Sequence, residues 1–142
     1  MTRVLGIDYG AKRIGLAISD PTQTLARPLE TLTASSRSDG MKQVLSRIAQ
    51  LSADDDGLAA IVVGRPSRLD GSATDSTMRV DTFVDTLRQE LTIRVDTEDE
   101  RLSSTEAESR LALRERDWRR RKQKLDAAAA AVILQDYLDR TR

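Results

Sequence analysis

Cysteine is absent from the 142 residues, so the chain has no disulfide, no thiolate metal site and no cysteine nucleophile. Histidine is absent as well. That removes the usual general base, the Ser/His/Asp triad and most zinc sites. Aromatic residues are scarce: Tyr9, Phe83, Trp118 and Tyr137 are the whole set, too few for a base-stacking platform along a single strand. No charge of one sign predominates, since 23 Lys and Arg face 23 Asp and Glu. Recruitment by bulk positive charge is thereby excluded, and any grip on nucleic acid must come from a local patch. No run approaches the roughly 20 apolar residues of a membrane span. The N-terminus also lacks the basic-then-apolar pattern of a signal peptide. The expectation is a soluble, cytoplasmic protein.

What remains for chemistry is carboxylates, hydroxyls, Lys and Arg, with any metal held by oxygen ligands. The length suits one domain with its own core. Arg3–Asp8 and Ile14–Ser19 are short apolar runs separated by turn chemistry around Gly10, which reads as a β-hairpin. Thr24–Leu32 reads as a third strand, pushed toward a sheet edge by Pro28. Met41, Val44, Leu45, Ile48 and Leu51 then mark a helix face. Leu58–Val63 is a continuous apolar run ended by Gly64, as in a parallel strand buried on both faces. Arg65–Ser76 reads as a polar loop, and Val80, Phe83, Val84, Leu87 and Leu91 as a second helix face. Ile93–Thr97 is a last short strand, and Ser103 with Glu106 forms a capping-box pattern for a third helix. Arg114–Lys124 is expected to be a loop or a helix extension, followed by an Ala-rich helix over Leu125–Leu138. This order predicts a mixed sheet with helices on both faces, without repeats, linkers or a second domain.

Three acids fall at element ends: Asp8 after the first strand, Glu100 just past the last, and Asp126 at the expected start of the last helix. Ligands of open α/β sheets collect beyond strand ends. Three carboxylates gathered there repel one another unless a cation neutralises them, and Mg²⁺ or Mn²⁺ takes such oxygen ligands. Paired ions of this kind activate water and stabilise the leaving oxygen in phosphodiester cleavage without His or Cys. Each acid alone also has a plainer reading, as a turn former (Asp8), a solvated acid (Glu100) or a helix-start partner (Asp126). Basic residues flank all three. Arg114–Lys124 carries seven Lys and Arg against two acids, a local charge of +5. Lys12 and Arg13 follow Asp8, and Arg101 follows Glu100. A positive rim around acids suits a polyanionic substrate.

Four segments together carry a family resemblance. They are Gly6-Ile7-Asp8-Tyr9-Gly10-Ala11-Lys12-Arg13-Ile14-Gly15, then Val63-Gly64-Arg65-Pro66 with Asp70-Gly71-Ser72, then Asp99-Glu100-Arg101-Leu102-Ser103-Ser104-Thr105-Glu106-Ala107, then Arg121-Lys122 through Asp126-Ala127-Ala128-Ala129-Ala130 to Leu138. In this order they resemble the motifs of the YqgF proteins, also called RuvX-like or Holliday junction resolvase-like. The resemblance implies a ribonuclease H-like fold over residues 1–142, a five-stranded mixed sheet flanked by helices. It implies a divalent-metal nuclease, using Mg²⁺ or Mn²⁺, that processes the 5′ end of precursor 16S rRNA. Carried onto matching positions, Asp8, Glu100 and Asp126 are the catalytic and metal-binding acids, with Asp8 bridging and Asp99 the alternative to Glu100. Lys12, Arg13, Arg101, Arg121 and Lys122 are the expected substrate-binding residues. Expected partners are structured RNA and the ribosome, with the protein a monomer or weak homodimer. Gly10 and Gly15 are expected to allow close backbone approach, and Gly71 and Ser72 to form a turn. The sequence departs from the family at Ser67-Arg68-Leu69. Alternatives are a Holliday junction resolvase acting on four-way DNA and a non-catalytic ribosome- or transcription-associated nucleic-acid-binding module. An ATPase of the actin and sugar-kinase class, which also uses an Asp-x-Gly hairpin, requires a second domain that this length does not accommodate.

Overall fold

The computed structural model describes residues 2–68, 70–100 and 118–141, with only the backbone of 118–124. Five strands form one sheet: β1 (Arg3–Tyr9), β2 (Arg13–Ser19), β3 (Ala26–Thr33), β4 (Leu58–Arg65) and β5 (Arg94–Asp99). Three described helices pack on it: α1 (Arg37–Ala53), α2 (Asp75–Glu90) and α3 (Trp118–Thr141). The spatial order is β3-β2-β1-β4-β5, with β1 central. β1 pairs antiparallel with β2, and β2 with β3, while β1–β4 and β4–β5 are parallel. This is the expected five-stranded mixed sheet, and Pro28 does lie in an edge strand.

Strand periodicity divides the core in two. One face carries Leu5, Ile7, Leu16, Ile18, Ile61, Val63 and Val95 against Val44 and Ile48 of α1 and Val80, Phe83, Val84 and Leu87 of α2. The other carries Val4, Ala17, Ala60 and Val62 against Ala130, Leu134, Tyr137 and Leu138 of α3. Small residues on the second face let a long helix lie close to the sheet. A Cβ added at Gly6 would sit 2.8 Å from the Leu134 Cβ, and one added at Gly15 only 1.9 Å from the Asp126 carbonyl oxygen.

Side-chain caps set the helix starts. Ser36 accepts from the Asp39 amide at 3.1 Å to begin α1. Thr74 and Thr77 form a reciprocal capping box at α2. The segment read as a loop to Ser76 therefore ends earlier, with α2 beginning at Asp75. α3 also begins earlier than expected, at Trp118, so residues 118–124 extend the Ala-rich helix. The helix expected after Ser103 lies outside the described residues. Among the described residues, no helix is long and apolar enough to cross a membrane.

Candidate active site

Asp8 belongs to the α3 side of the sheet because strand side chains alternate. Val4 packs against α3 and Gly6 faces it, so the next even position, Asp8, follows them on the central strand. Its register partner on β2 is Gly15, which leaves room for the α3 backbone. Gly15 thus sets the distance between the helix and Asp8. Gly10, by contrast, tightens the hairpin turn, since a Cβ there would meet the Arg13 carbonyl oxygen at 2.5 Å.

Glu100 reaches the same face by the same alternation on β5. Asp96 and Glu98 both bond to α3: the Tyr137 hydroxyl donates to Asp96 at 2.6 Å, and Arg140 Nε donates to Glu98 at 2.8 Å. The next even position is Glu100, whose amide donates to the Arg65 carbonyl at 3.3 Å. Its carboxylate lies over Gly64, where an added Cβ would meet Oε2 at 2.3 Å. Asp99 is an odd position, and its charge bears on the Arg65 guanidinium. The continued strand period would have pointed to Glu100 over Asp99, and Gly64 is the site residue that the sequence reading left without a role.

Asp8 and Glu100 share a hydrogen bond. Burial and the nearby Asp126 charge push the Asp8 carboxyl up to about 6, with the Glu100 hydrogen bond acting the other way. Burial, then the Asp8 charge and hydrogen bond, then Asp99, push Glu100 up to about 9. At neutral pH the pair therefore holds a proton, with Glu100 donating to the Asp8 carboxylate.

Asp126 does not begin a helix. It lies more than two turns inside α3, so it neither caps the helix nor meets its dipole. It faces the hairpin and accepts from Arg13 Nε at 2.7 Å. Both members of this ion pair are less than about a third exposed, at 32% and 23%. Arg13, expected to bind substrate, is thus committed to Asp126. Among the described residues, no three acids stand close enough together to hold a metal ion as placed. The donors are nevertheless oxygen only and carboxylate-rich, which suits a hard divalent ion.

Lys12 is exposed in the turn, and its carbonyl accepts from the Ala34 amide at 2.8 Å. Arg101 lies outside the described residues, and the side chains of Trp118, Arg121 and Lys122 are likewise not described. Gly71 has a φ of +87° and its amide donates to the Arg68 carbonyl, so Gly71 and Ser72 do form a turn. Arg65, in the second motif, makes a two-pronged ion pair with Asp81 of α2 at 2.9 and 3.1 Å.

Comparison with known proteins bears on the fold and the family. Two solved Holliday junction resolvases share the fold. RuvC of Thermus thermophilus, in complex with a Holliday junction, aligns with a TM-score of 0.58 at 16% identity, covering 99% of this chain and 96% of that one. The fowlpox virus resolvase aligns with a TM-score of 0.60 at 10% identity, covering 99% and 100%. The fold is ribonuclease H-like. Sequence relatives are named as candidate pre-16S rRNA nucleases. That of Roseiflexus sp. is 39% identical over 99% of this chain and 96% of its own length. That of Chlorobaculum tepidum is 41% identical over 96% and 93%. Residues 2–140 match the family model described as RuvX, Holliday junction resolvase, and the chain therefore belongs to the RuvX family of nucleases.

Proposed function

We propose that the chain is a divalent-metal-dependent nuclease that processes the 5′ end of precursor 16S rRNA in the cytoplasm. Residues 1–142 would act as one domain. Asp8, Glu100 and Asp126 would hold Mg²⁺ or Mn²⁺. The observation that carries this reading is the Asp8–Glu100 pair, two carboxyls in contact at the end of the central strand, with the Asp126 charge acting on Asp8. Such a cluster is stable only with a proton or a cation in it. When bound, the cation supplies Lewis-acid polarisation of the phosphodiester and makes water more acidic.

The chain's own residues do the rest. Asp8 is held in place by its pairing with Gly15 of β2 at the end of the central strand, and would be one of the ligands. Glu100 would hold the cation in its carboxylate form, without the proton it shares with Asp8. Asp126 would hold the cation with the carboxylate that here accepts from Arg13. Arg13, released from Asp126, would meet a phosphate beside the scissile bond, as would Lys12 from the turn. Arg101, Arg121 and Lys122 would hold flanking phosphates. With no base-reading element evident, specificity would rest on RNA structure or the ribosomal context.

The test is cleavage of a 5′-extended 16S precursor fragment and a four-way DNA junction, side by side, with Mg²⁺ or Mn²⁺ and with Asp8→Asn as control. Metal-dependent RNA cutting that Asp8→Asn abolishes is the expected result. Symmetric cutting of the junction alone would replace the rRNA reading by the second one, junction resolution, which the family description favours. Cutting that persists in Asp8→Asn would refute the assignment of the acids.

A further inference from the structure

Strand alternation that turns Asp8 toward α3 turns Tyr9 to the opposite face, at the same end of β1. There Tyr9 stacks on Phe83 of α2, with ring centroids 4.1 Å apart and planes 18° apart. Phe83 is buried, while Tyr9 is only partly covered. The pair forms one wall of an open groove of about 380 Å³ between the first turns of α1 and the Met78–Thr86 stretch of α2. That volume lies within the range of about 300–1,000 Å³ usual for small-molecule sites.

Two further features make this groove more than a gap between helices. Met41 and Met78 line it, and Met78 is 64% exposed, one of only two large apolar side chains left so open among the described residues. Arg37 from α1 and Arg79 from α2 also line it, and no carboxylate does. Neither arginine makes an ion pair among the described residues; Arg79 donates only to the Ser76 hydroxyl, at 3.1 Å. The groove thus combines an aromatic wall, soft thioethers and two uncommitted guanidinium groups. Thioether and aromatic groups suit the flat face of a base, and arginine suits its phosphate.

We propose that this groove binds one unpaired nucleotide of the RNA strand whose scissile phosphate lies at the acids across the sheet. The inference rests on the nuclease reading and deepens it. The strand would pass over the end of β1, with its base between Tyr9 and Met78 and its phosphates on Arg37 and Arg79. One such pocket is compatible with the scarcity of aromatics, because it needs a single stacked pair rather than a platform. It would set the separation between an unpaired residue and the cut, and so supply specificity without reading a sequence.

The test measures binding of a fluorescent single-stranded oligoribonucleotide by anisotropy, across a salt series. Wild type, Met78→Glu, Arg37→Ala/Arg79→Ala and Asp8→Asn are compared, with thermal melts confirming that each is folded. Hydrolysis of bis-p-nitrophenyl phosphate, too small to reach the groove, is followed in parallel with Mn²⁺. Met78→Glu should weaken RNA binding by about tenfold, because the base loses an apolar contact and the phosphates meet an added negative charge. The double arginine variant should also lower the salt dependence, by about 0.7 in log–log slope per arginine. Both should hydrolyse the small diester at the wild-type rate. Free nucleoside monophosphate should compete only weakly, because the strand supplies the second phosphate; strong competition would overturn assignment of the groove to a strand and favour a free nucleotide. RNA affinity and salt slope unchanged in both groove variants would overturn the pocket and leave the nuclease reading intact. Absence of small-diester hydrolysis in wild type would remove the nuclease reading, while the binding arm would still decide the pocket.

Discussion

Gly15→Ala isolates the dependence of the proposed active site on how closely α3 approaches the sheet. The added methyl carbon would lie 1.9 Å from the Asp126 carbonyl oxygen and 2.3 Å from its carbon, whereas ordinary contact begins near 3.4 Å. The obstacle is helix backbone, so no rotamer change relieves it. α3 must back away by roughly 1.5 Å, a strained repacking that costs about 1–3 kcal/mol. For a chain of this size that lowers Tm by roughly 4–12 °C. Asp126 retreats with the helix, away from Asp8. Misplacing a catalytic group by about 1 Å costs on the order of a hundredfold in rate. Gly6→Ala provides the graded comparison, since its methyl would overlap less, meeting the Leu134 Cβ at 2.8 Å and the Ala130 carbonyl oxygen at 3.1 Å. Thermal melts and single-turnover cleavage of labelled RNA measure both effects. Gly15→Ala should lose far more rate than Gly6→Ala, beyond what its stability loss accounts for at a temperature where both are folded. A Gly15→Ala protein with unchanged Tm and a near wild-type rate would refute the reasoning.

Three further outcomes follow from the same geometry. Asp8 and Glu100 are raised to about 6 and about 9, so these two groups hold more protons in the folded metal-free protein than in the unfolded chain between about pH 4 and 9. The pair's contribution to stability is therefore greatest below the unfolded carboxyl range and falls as pH rises from about 4 through 6 toward 9; Asp8→Asn should flatten that part of the profile in melts across pH, and an equally steep fall would count against the pair. Arg13→Gln removes the 2.7 Å bond to Asp126, which should cost the metal-free protein about 1 kcal/mol and tighten Mn²⁺ binding in calorimetry, whereas weaker Mn²⁺ binding would show that Arg13 does not compete for that acid. Thr77→Val removes the hydroxyl that donates to the Pro66 carbonyl at 2.5 Å and accepts from the Thr74 amide at 2.9 Å. Because Thr77 is fully buried, urea unfolding should show a loss of about 2 kcal/mol with an unchanged m-value.

Much of the fold was legible in local pattern. The apolar runs before Asp8 and Ser19, the continuous run ending at Gly64 and the helical spacing from Met41 to Leu51 each report one period, and the described elements follow them. Element ends were less legible. The capping pair Thr74 and Thr77 starts α2 before its apolar face begins, and the basic stretch before Leu125 conceals that α3 already runs from Trp118. Charged residues are compatible with either helix or loop, so composition alone did not separate the two.

The sequence by itself determined which chemistry is open to this protein. Without cysteine or histidine, only carboxylates, hydroxyls, Lys and Arg remain, and the four ordered motifs name the family. Only the tertiary structure decided how those groups meet. It is the approach of α3 over Gly6 and Gly15, the alternation of β5 past Glu98, and the room above Gly64 that bring Asp8 and Glu100 into contact. It is the third dimension, too, that commits Arg13 to Asp126, 113 residues away in sequence. The physical reason is that periodicity specifies which face a side chain occupies, whereas the partner on that face depends on how closely two backbones can pack.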